Sequence, residues 1–428
     1  MPAQVVIAQA GGPTPVINNS LRGVIDACRA YPDRCGRIFG ARHGIEGVLR
    51  EELLDLSAQD ARELERLKHT PAAGAIGTCR YKLGATFDED LERIIAVFRA
   101  HGVGYFFYIG GNDSMATAER VSRLARERGL DLVATGVPKT IDNDVGDVAL
   151  RRVDHTPGYG STARYLAHYV RNAEEENRGS CPADPVLVVQ VMGRHVGFIP
   201  AAARLADPRR ELPLRIFMAE AGLTLPAVAD RIEACVAAHG RCIAIVSEGL
   251  DVGDIGAARD AFGHKAYGAS RASVAQVLTN CLNERGLPVP GQARYQLPGT
   301  DQRASAIHAA TVDLDEAYAV GRHCVEIALR DGTGWMGTII RATQTPYRAA
   351  YDKVPLTEVA AAERRFPSDW LSPSRDDVTD AFVEYARPLI GDDWPVVPLE
   401  NGLPRYARLA PVLAEQRLPA YVPQGRRR

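Results

Sequence analysis

The most informative part of the chain reads Leu132-Val133-Ala134-Thr135-Gly136-Val137-Pro138-Lys139-Thr140-Ile141-Asp142-Asn143-Asp144. Its first half is an apolar run that predicts a buried strand, and its second half predicts the turn that follows this strand. Open α/β sheets bind ligands just beyond the carboxyl ends of their strands. A carboxylate at such a place can take a proton from a sugar hydroxyl, and an ammonium can stabilise charge that develops on phosphate oxygens. The stretch therefore indicates phosphoryl transfer, and the alternative interpretation is an acidic turn that caps a helix.

The composition is that of an ordinary globular enzyme. The chain has 428 residues, of which 46% are hydrophobic and 24% are charged, and this length suits two or three domains. A formal net charge of −2 gives no reason to expect nucleic acid or an anionic membrane as a partner. We find no basic leader, no membrane-spanning apolar run and no Cys-x-x-Cys pair, and these features predict a cytoplasmic protein. The basic segment Arg426-Arg427-Arg428 predicts a frayed, solvated end.

Apolar runs alternate with helix-like periodicity along the chain, which predicts an α/β fold with mostly parallel sheets and helices on both faces. Strands are predicted at Gln4–Ala8, Gly104–Ile109, Leu132–Val137, Pro185–Val191, Arg241–Ser247 and Gly337–Ala342. Helices are predicted at Asn18–Ala30, Phe87–Ala100, Asp113–Arg128, Ser161–Glu176, Pro226–His239, Ser270–Arg285 and Ser305–Leu329. We expect two similar lobes and an irregular C-terminal extension. The boundaries are 1–154 for the donor-binding lobe, completed by part of 309–345, then 155–308 for the second, sugar-phosphate-binding lobe and 346–428 for the extension.

Two further predicted strands end in glycine turns. The first turn is Gly11-Gly12-Pro13-Thr14 and the second is Gly110-Gly111-Asn112-Asp113-Ser114. Glycines let backbone N–H groups approach an anion, and the N-terminus of the following helix supplies positive potential. The chain has neither Gly-x-Gly-x-x-Gly nor a P-loop motif at these turns, which disfavours dinucleotide binding and P-loop chemistry. If the three strands are neighbours, we expect the three turns to meet at one phosphate-binding cleft.

With four further motifs these turns resemble the phosphofructokinase family. The further motifs are Gly77–Leu83, Met192-Gly193-Arg194, Glu248-Gly249 and the segment Arg294–Arg303, and the set spans about two thirds of the chain in the family's order. The resemblance implies two similar α/β lobes, Mg²⁺ as cofactor, and transfer of a phosphoryl group to the 1-hydroxyl of fructose 6-phosphate, a step of glycolysis or gluconeogenesis. It also implies a homodimer or homotetramer.

The resemblance implies a role for each matching position. Asp142 matches the catalytic base, and Asn112 stands where many members have an aspartate that helps to hold Mg²⁺. The implied catalytic residues are Asp142, Lys139, Asp113 and Arg194. The implied donor-binding residues are Gly11, Gly12, Gly111, Arg80 and Lys139. The implied substrate-binding residues are Thr140, Ile141, Asp142, Asp144, Met192, Gly193, Arg194, Glu248, Arg294, Thr300 and Arg303.

Two positions bear on the phosphoryl donor. ATP-dependent members resemble Gly-Gly-Asp-Gly-Ser and Pro-Gly-Thr-Ile-Asp, whereas this chain has Asp113 and Lys139 at the variable positions. The Asp113 carboxylate would place volume and charge where the α-phosphate of a nucleotide must sit. Two like charges about 4 Å apart repel by about 4 kcal/mol at an effective dielectric of 20. Lys139 can instead reach a phosphate, so the resemblance is to the pyrophosphate-dependent branch.

Several alternatives stay open. The donor could be ATP, held by unusual residues. A longer sugar such as sedoheptulose 7-phosphate is a second candidate substrate, because Thr300 stands where a histidine or tyrosine is usual. A non-catalytic regulatory subunit is disfavoured, since a pure binder has no need of the base Asp142. Asn112 brings no charge to a magnesium ion, so Asp113, Asp142 or Asp144, or pyrophosphate itself, would have to hold the metal.

Overall fold

A computed structural model describes residues 2–71, 75–84, 86–256, 258–259, 265–267, 270–360 and 363–427. The strands are β1 (Ala3–Gln9), β2 (Cys35–Ala41), β3 (Leu53–Asp55), β4 (Val103–Gly110), β5 (Val133–Pro138), β6 (Val186–Val191), β7 (Leu214–Phe217), β8 (Cys242–Ser247), β9 (Ala258–Arg259), β10 (Lys265–Ala266), β11 (Ala293–Gln296), β12 (Trp335–Gln344), β13 (Tyr347–Pro355), β14 (Leu399–Glu400) and β15 (Leu403–Pro404). The helices are α1 (Pro15–Arg29), α2 (Ile45–Leu49), α3 (Ala61–Arg66), α4 (Asp88–His101), α5 (Asn112–Glu127), α6 (Tyr159–Ser180), α7 (Phe198–Ala201), α8 (Leu225–His239), α9 (Val274–Arg285), α10 (Asp301–Ala304), α11 (Thr311–Asp331), α12 (Leu356–Val359) and α13 (Asp380–Ala386).

The chain divides into two compact units. The first consists of Met1–Gly158, Arg303–Arg364 and Asp393–Arg428, and the second of Tyr159–Gln302 and Arg365–Asp392. The residues that the sequence analysis assigned to one C-terminal extension are therefore shared between both units. None of the described helices is long and apolar enough to cross a membrane.

The first unit is built on a sheet of seven described strands in the order β13-β12-β5-β4-β1-β2-β3. Its inner pairs are parallel, and the edge strands β3 and β13 are antiparallel to their neighbours. Strands β1, β4 and β5 are buried at nearly every position, as expected of a sheet that is covered on both faces. Because these three strands are parallel neighbours, their carboxyl ends meet at the same edge of the sheet.

The second unit is built on a four-stranded, wholly parallel sheet in the order β11-β6-β8-β7. Every residue of β6 and β8 is buried, and Val191 pairs with Ser247 at their carboxyl ends. The turns that follow these two strands therefore start side by side. Strand β11 lies at an edge of the described sheet and exposes Arg294 and Tyr295.

The predicted α/β class with mostly parallel sheets is confirmed. Each predicted strand overlaps an observed one, because long apolar runs are the signal of strands buried on both faces. Among the described strands of four or more residues, the sequence analysis missed β2, β7, β11 and β13, and it also missed the shorter β3, β9, β10, β14 and β15. Strand β7 has only four residues, and β11 and β13 have mixed polar and apolar residues without a clear period, so these strands lack that signal.

A cluster of charged side chains lies in the core of the first unit around His155, which is 1% exposed. Its Nδ1 atom is 2.8 Å from Asp154 Oδ2, and its Nε2 atom is 2.7 Å from Glu316 Oε2. Arg341 donates two hydrogen bonds of 3.0 Å to Asp154, and the Tyr347 hydroxyl donates one of 2.7 Å to Glu316. Burial opposes protonation of the imidazole, but the two carboxylates outweigh it and raise the pKa of His155 to about 10. His155 is therefore a buried cation that joins two carboxylates.

We expect His155→Gln to remove a pH-dependent part of the free energy of unfolding. Folding raises the pKa of His155 from about 6.5 to about 10. The stabilisation is thus complete below about pH 6.5 and is lost as the pH rises to about 10. Urea unfolding measures the free energy of unfolding across this range. The wild type should have the larger value at low pH, and its difference from the variant should shrink as the pH rises. His239→Gln is the control, because His239 is exposed. A difference in the free energy of unfolding between wild type and His155→Gln that does not change with pH would contradict a protonated His155 between the two carboxylates.

Candidate active site

The turns after β1, β4 and β5 contact one another at one edge of the first sheet. The Lys139 backbone N–H donates to the Gly110 carbonyl at 3.0 Å, and the Ala10 N–H donates to the Ile109 carbonyl at 2.8 Å. The Lys139 ammonium reaches across to the first turn and donates to the Gly12 carbonyl. The three turns that the sequence predicted to converge are therefore neighbours.

The first glycine turn is held by the neighbouring Gly77–Leu83 motif. Gly11 has φ +86°, a left-handed conformation that favours glycine. Its N–H donates to the Cys79 carbonyl at 3.1 Å, and its carbonyl accepts from Thr78 Oγ1 at 2.8 Å. Helix α1 begins directly afterwards, with Thr14 Oγ1 accepting from its third residue at 3.0 Å. The turn thus presents the N-terminus of a long helix, where an anion is favoured.

Lys139 is 3% exposed and lies among charged groups of the first unit. Burial, followed by repulsion from Arg303, lowers the pKa of Lys139 to about 7, although Asp142 opposes this shift. The Arg303 guanidinium covers the first glycine turn, because a Cβ atom built on Gly12 would lie 2.7 Å from Arg303 Cζ. Two cationic side chains therefore face this turn, and an arriving phosphate would favour the protonated form of Lys139.

The turn after β5 is fixed by the residues that follow the charged cluster. The Thr140 N–H donates to the Pro157 carbonyl at 3.1 Å, and Thr156 Oγ1 donates to the Thr140 carbonyl at 3.1 Å. Thr140 Oγ1 in turn accepts from the Asp142 N–H at 3.2 Å. Ile141 is 7% exposed, whereas the Asp142 side chain is only partly buried. The base implied by the family resemblance is thus held on a rigid turn and remains accessible.

Two buried residues that the sequence analysis missed also hold this turn. The Arg364 N–H donates to the Asp144 carbonyl at 2.7 Å, and Arg364 Nη1 lies 3.4 Å from Asn143 Oδ1. Asp313, which is 1% exposed, accepts from the Gly158 N–H at 2.9 Å. Arg364 lies 221 residues from Asn143 in the sequence and belongs to no motif. No local pattern could have identified either residue.

Two buried oxygen atoms beside the turn have no hydrogen-bond partner among the described residues, namely Asn112 Oδ1 and Asp144 Oδ1. Asn112 Nδ2 is 3.5 Å from the Asp144 carbonyl, so the two residues are neighbours. Burial, with repulsion from Asp142, raises the pKa of Asp144 to about 7. Oxygen ligands of this kind suit Mg²⁺, so the donor set fits the ion. The described residues hold no group of three acidic, histidine or cysteine side chains suited to a metal, so substrate and water would supply the other ligands.

Asp113, in the first turn of α5, forms an ion pair with Lys82. The Lys82 Nζ atom is 2.9 Å from Asp113 Oδ2, and the two side chains are 34% and 66% exposed. The ammonium compensates part of the carboxylate charge, so repulsion of a nucleotide phosphate is weaker than the sequence analysis assumed. If a nucleotide phosphate had to enter here, as the sequence analysis assumed, the volume of the ion pair would oppose it more than the charge would. Arg80, on the same motif as Lys82, is exposed, and its charge contributes to lowering the pKa of Lys139.

The second unit brings Arg194 and Glu248 together at the ends of β6 and β8. Arg194 Nε is 3.8 Å from Glu248 Oε1. Ser247 Oγ donates to the Gly193 carbonyl and accepts from the Gly249 N–H at 3.1 Å, which ties the two turns to each other. A Cβ atom on Gly249 would overlap the Arg194 carbonyl oxygen, so the close approach of the turns requires glycine.

The remaining residues of the implied sugar pocket are more dispersed. Arg294 lies on β11, where its side chain is 65% exposed and forms an ion pair with Asp184. Thr300 is exposed in a turn, and the Met192 N–H donates to Gln302 Oε1 at 3.0 Å. The resemblance implies that Arg303, like Arg294, binds the 6-phosphate of the sugar, but Arg303 belongs to the first unit and covers the glycine turn there. The two arginines are therefore not neighbours within either unit.

The fold and the glycine turns at its strand ends are those expected of an α/β phosphotransferase. A model of the phosphofructokinase family matches residues 4–328. The chain is 39% identical over 423 residues to the pyrophosphate–fructose 6-phosphate 1-phosphotransferase of Methylococcus capsulatus. This alignment covers 96% of this chain and 97% of that protein. Crystal structures of pyrophosphate-dependent phosphofructokinases from Marinobacter aquaeolei and Nitrosospira multiformis match with TM-scores of 0.85 and 0.86, at 36% and 35% identity. Both matches cover 98% of this chain, and they cover 99% of the Marinobacter aquaeolei chain and 100% of the Nitrosospira multiformis chain.

The chain belongs to the phosphofructokinase family, as the resemblance of its motifs predicted.

We expect Gly249→Ala to lower kcat/KM for the sugar substrate at least roughly tenfold, because the new Cβ would displace the backbone that carries Arg194. Gly179→Ala in α6 is the matched control, since a Cβ atom there meets nothing within 4 Å. Steady-state kinetics measures the effect, and thermal unfolding shows whether both variants fold. Normal kinetics in a folded Gly249→Ala protein would contradict the requirement for glycine.

Proposed function

We propose that the protein transfers a phosphoryl group from pyrophosphate to the 1-hydroxyl of fructose 6-phosphate, giving fructose 1,6-bisphosphate and phosphate. The observation that carries this proposal is the buried Lys139 ammonium, which lies on the Gly12 carbonyl beside Arg303 and near Asp142. Such a cation can bind a compact polyanion but offers nothing to a nucleoside. The names of the relatives that match nearly the whole chain support the same donor.

In the proposed reaction the Asp142 carboxylate takes the proton of the sugar 1-hydroxyl. The sugar oxygen forms a bond to the nearer phosphorus of pyrophosphate, and the bond from that phosphorus to the bridging oxygen breaks. Inorganic phosphate leaves with the electron pair, while Lys139 stabilises the charge on the transferring and leaving oxygens. Backbone N–H groups of the Gly11 and Gly111 turns hold the diphosphate. Because the leaving group is itself a phosphate, the reaction should run in both directions.

Sugar binding is assigned to the residues of the second unit on the strength of the family resemblance. Arg194, paired with Glu248, would bind the sugar and the transferring phosphate. Arg294 and Thr300 would bind the 6-phosphate, which requires Arg294 to leave Asp184. Arg303 faces Gly12, so we assign it to the phosphate nearest the first glycine turn.

Magnesium is assigned to the buried oxygens of Asn112 and Asp144. When bound, Mg²⁺ neutralises part of the charge of pyrophosphate. The Asn112 amide is neutral, so Asp144 supplies the only charge of this pair and its carboxylate favours a cation beside it. A cytoplasmic location and a homodimer or homotetramer stay predictions from the sequence.

Asp142→Asn should lower turnover with pyrophosphate by about 10²–10⁴, with little change in either KM, because the amide cannot take the proton of the hydroxyl. Initial rates of fructose 1,6-bisphosphate formation measure the effect. The exposed Asp131→Asn is the control and should behave as the wild type. Near-normal turnover in the Asp142 variant would remove this residue from its role.

A second prediction concerns the pH dependence of donor use. The pKa of Lys139 is lowered to about 7 in the free protein, so its charge and its attraction for an anion are lost as the pH rises through about 7. Lys139→Arg stays charged throughout this range. The kcat/KM for pyrophosphate of the wild type, divided by that of the variant, should therefore fall as the pH rises. Ionisation of pyrophosphate affects both proteins equally, so it does not change this ratio. A ratio that is independent of pH would show that Lys139 does not titrate there.

A further inference from the structure

The segment of residues 417–426, here called the strap, is tied to the first unit along its length. The Arg417 N–H donates to Glu51 Oε1 at 2.6 Å, and Arg426 Nη2 is 2.7 Å from Glu46 Oε1. Glu51 is 1% exposed and Glu46 is 5% exposed. Arg426 is solvated, as predicted, with a side chain that is 43% exposed, but it is not frayed, because the buried Glu46 carboxylate accepts a hydrogen bond from its guanidinium. Arg428 lies outside the described residues.

One buried carboxylate binds both the strap and Tyr81. Asp90, at the start of α4, is 0% exposed and accepts from the Tyr421 hydroxyl at 2.7 Å and the Gln424 N–H at 3.0 Å. It also accepts from the Tyr81 hydroxyl. The Gly425 N–H donates to the same Tyr81 oxygen at 2.8 Å. The hydroxyl of Tyr81 is therefore held from two sides, by the strap and by the carboxylate that anchors the strap.

The strap also packs closely on the Tyr81 ring. A Cβ atom on Gly425 would lie 3.0 Å from Tyr81 Cε2 and 3.1 Å from Phe87 Cε2. Tyr81 is only 4% exposed, and its ring centre is 6.2 Å from that of Phe87. A side chain at position 425 would have to shift these rings, so the strap packs directly on Tyr81.

Tyr81 belongs to the motif that supports the donor turns. Two residues before it, the Cys79 carbonyl accepts from the Gly11 N–H at 3.1 Å. Directly after it, Lys82 forms the 2.9 Å ion pair with Asp113. A displacement of Tyr81 would therefore be passed to both the glycine turn and the ion pair at the start of α5.

We propose that the strap is a positioning element for the donor site, acting through Tyr81 on Cys79 and Lys82. The expected change in KM rests on the proposed function. The expected displacement of Tyr81 rests only on the contacts described above. A strap with this role affects binding of pyrophosphate more than binding of the sugar phosphate. A strap that merely stabilises the fold would change both KM values together or neither.

Gly425→Val tests the inference by displacing Tyr81 without removing a hydrogen-bonding group. We expect the KM for pyrophosphate to rise at least fivefold, while the KM for fructose 6-phosphate changes less than twofold. Arg408→Ala is the control, because Arg408 lies outside the strap and is exposed, and its 2.6 Å hydrogen bond to Glu63 is made by the backbone N–H, which the substitution keeps. This control should keep both KM values. Equal changes in both KM values, or none, in the folded Gly425 variant would overturn the proposal.

Hydrogen–deuterium exchange gives a second measurement that does not depend on activity. Residues 77–83 should exchange faster in Gly425→Val, and in the milder Tyr421→Phe, than in the wild type or in Arg408→Ala. If the wild type shows no activity with pyrophosphate, the proposed function fails and the exchange result alone decides the role of the strap. Unchanged exchange at residues 77–83 in both strap variants would refute that role. If Gly425→Val does not fold, Tyr421→Phe supplies both measurements.

Discussion

The protonated His155 between Asp154 and Glu316 is the interaction on which the active-site geometry depends most. A buried charge that loses its partner costs several kcal/mol, so a rearrangement that separates these groups is strongly disfavoured. It fixes the segment that ends at Gly158 against α11 and β12. Thr156 and Pro157 belong to this segment and bind the backbone of the turn that carries Asp142. The position of the proposed base is thus set by charges in the core, outside the site itself.

The sequence predicted the parts of the site that lie at strand ends. The apolar run before Lys139 identified a buried strand, and the glycines of the other two turns identified places where a backbone can approach an anion. These turns lie together because the strands that precede them are neighbours in one parallel sheet. Residues that act across the fold were not predictable in this way, because Arg364 and Asp313 contact the site from 221 and 155 residues away and show no local pattern. The contact of Arg426 with the buried Glu46 was missed for the same reason, since the two residues lie 380 positions apart.

The balance of charge at the donor turns accounts for the chemistry that we propose. Lys139 and Arg303 bring positive charge to the first glycine turn, and Asp144 with Asn112 offers oxygen ligands to a cation on the neighbouring turn. A magnesium complex of pyrophosphate contains both a cation and a polyanion, so its charges match this arrangement. The ion pair of Lys82 and Asp113 fills space at the start of α5, so a nucleotide would be rejected by volume more than by charge. The strap holds this ion pair in place through Tyr81.

The most direct test of this account is a parallel assay of the purified protein with fructose 6-phosphate and Mg²⁺, supplied with either pyrophosphate or ATP. The account predicts fructose 1,6-bisphosphate from pyrophosphate, with a kcat/KM at least roughly a hundredfold above that for ATP. Equal or better use of ATP would contradict it, because Lys139 and the pair of Lys82 and Asp113 would then not select the donor.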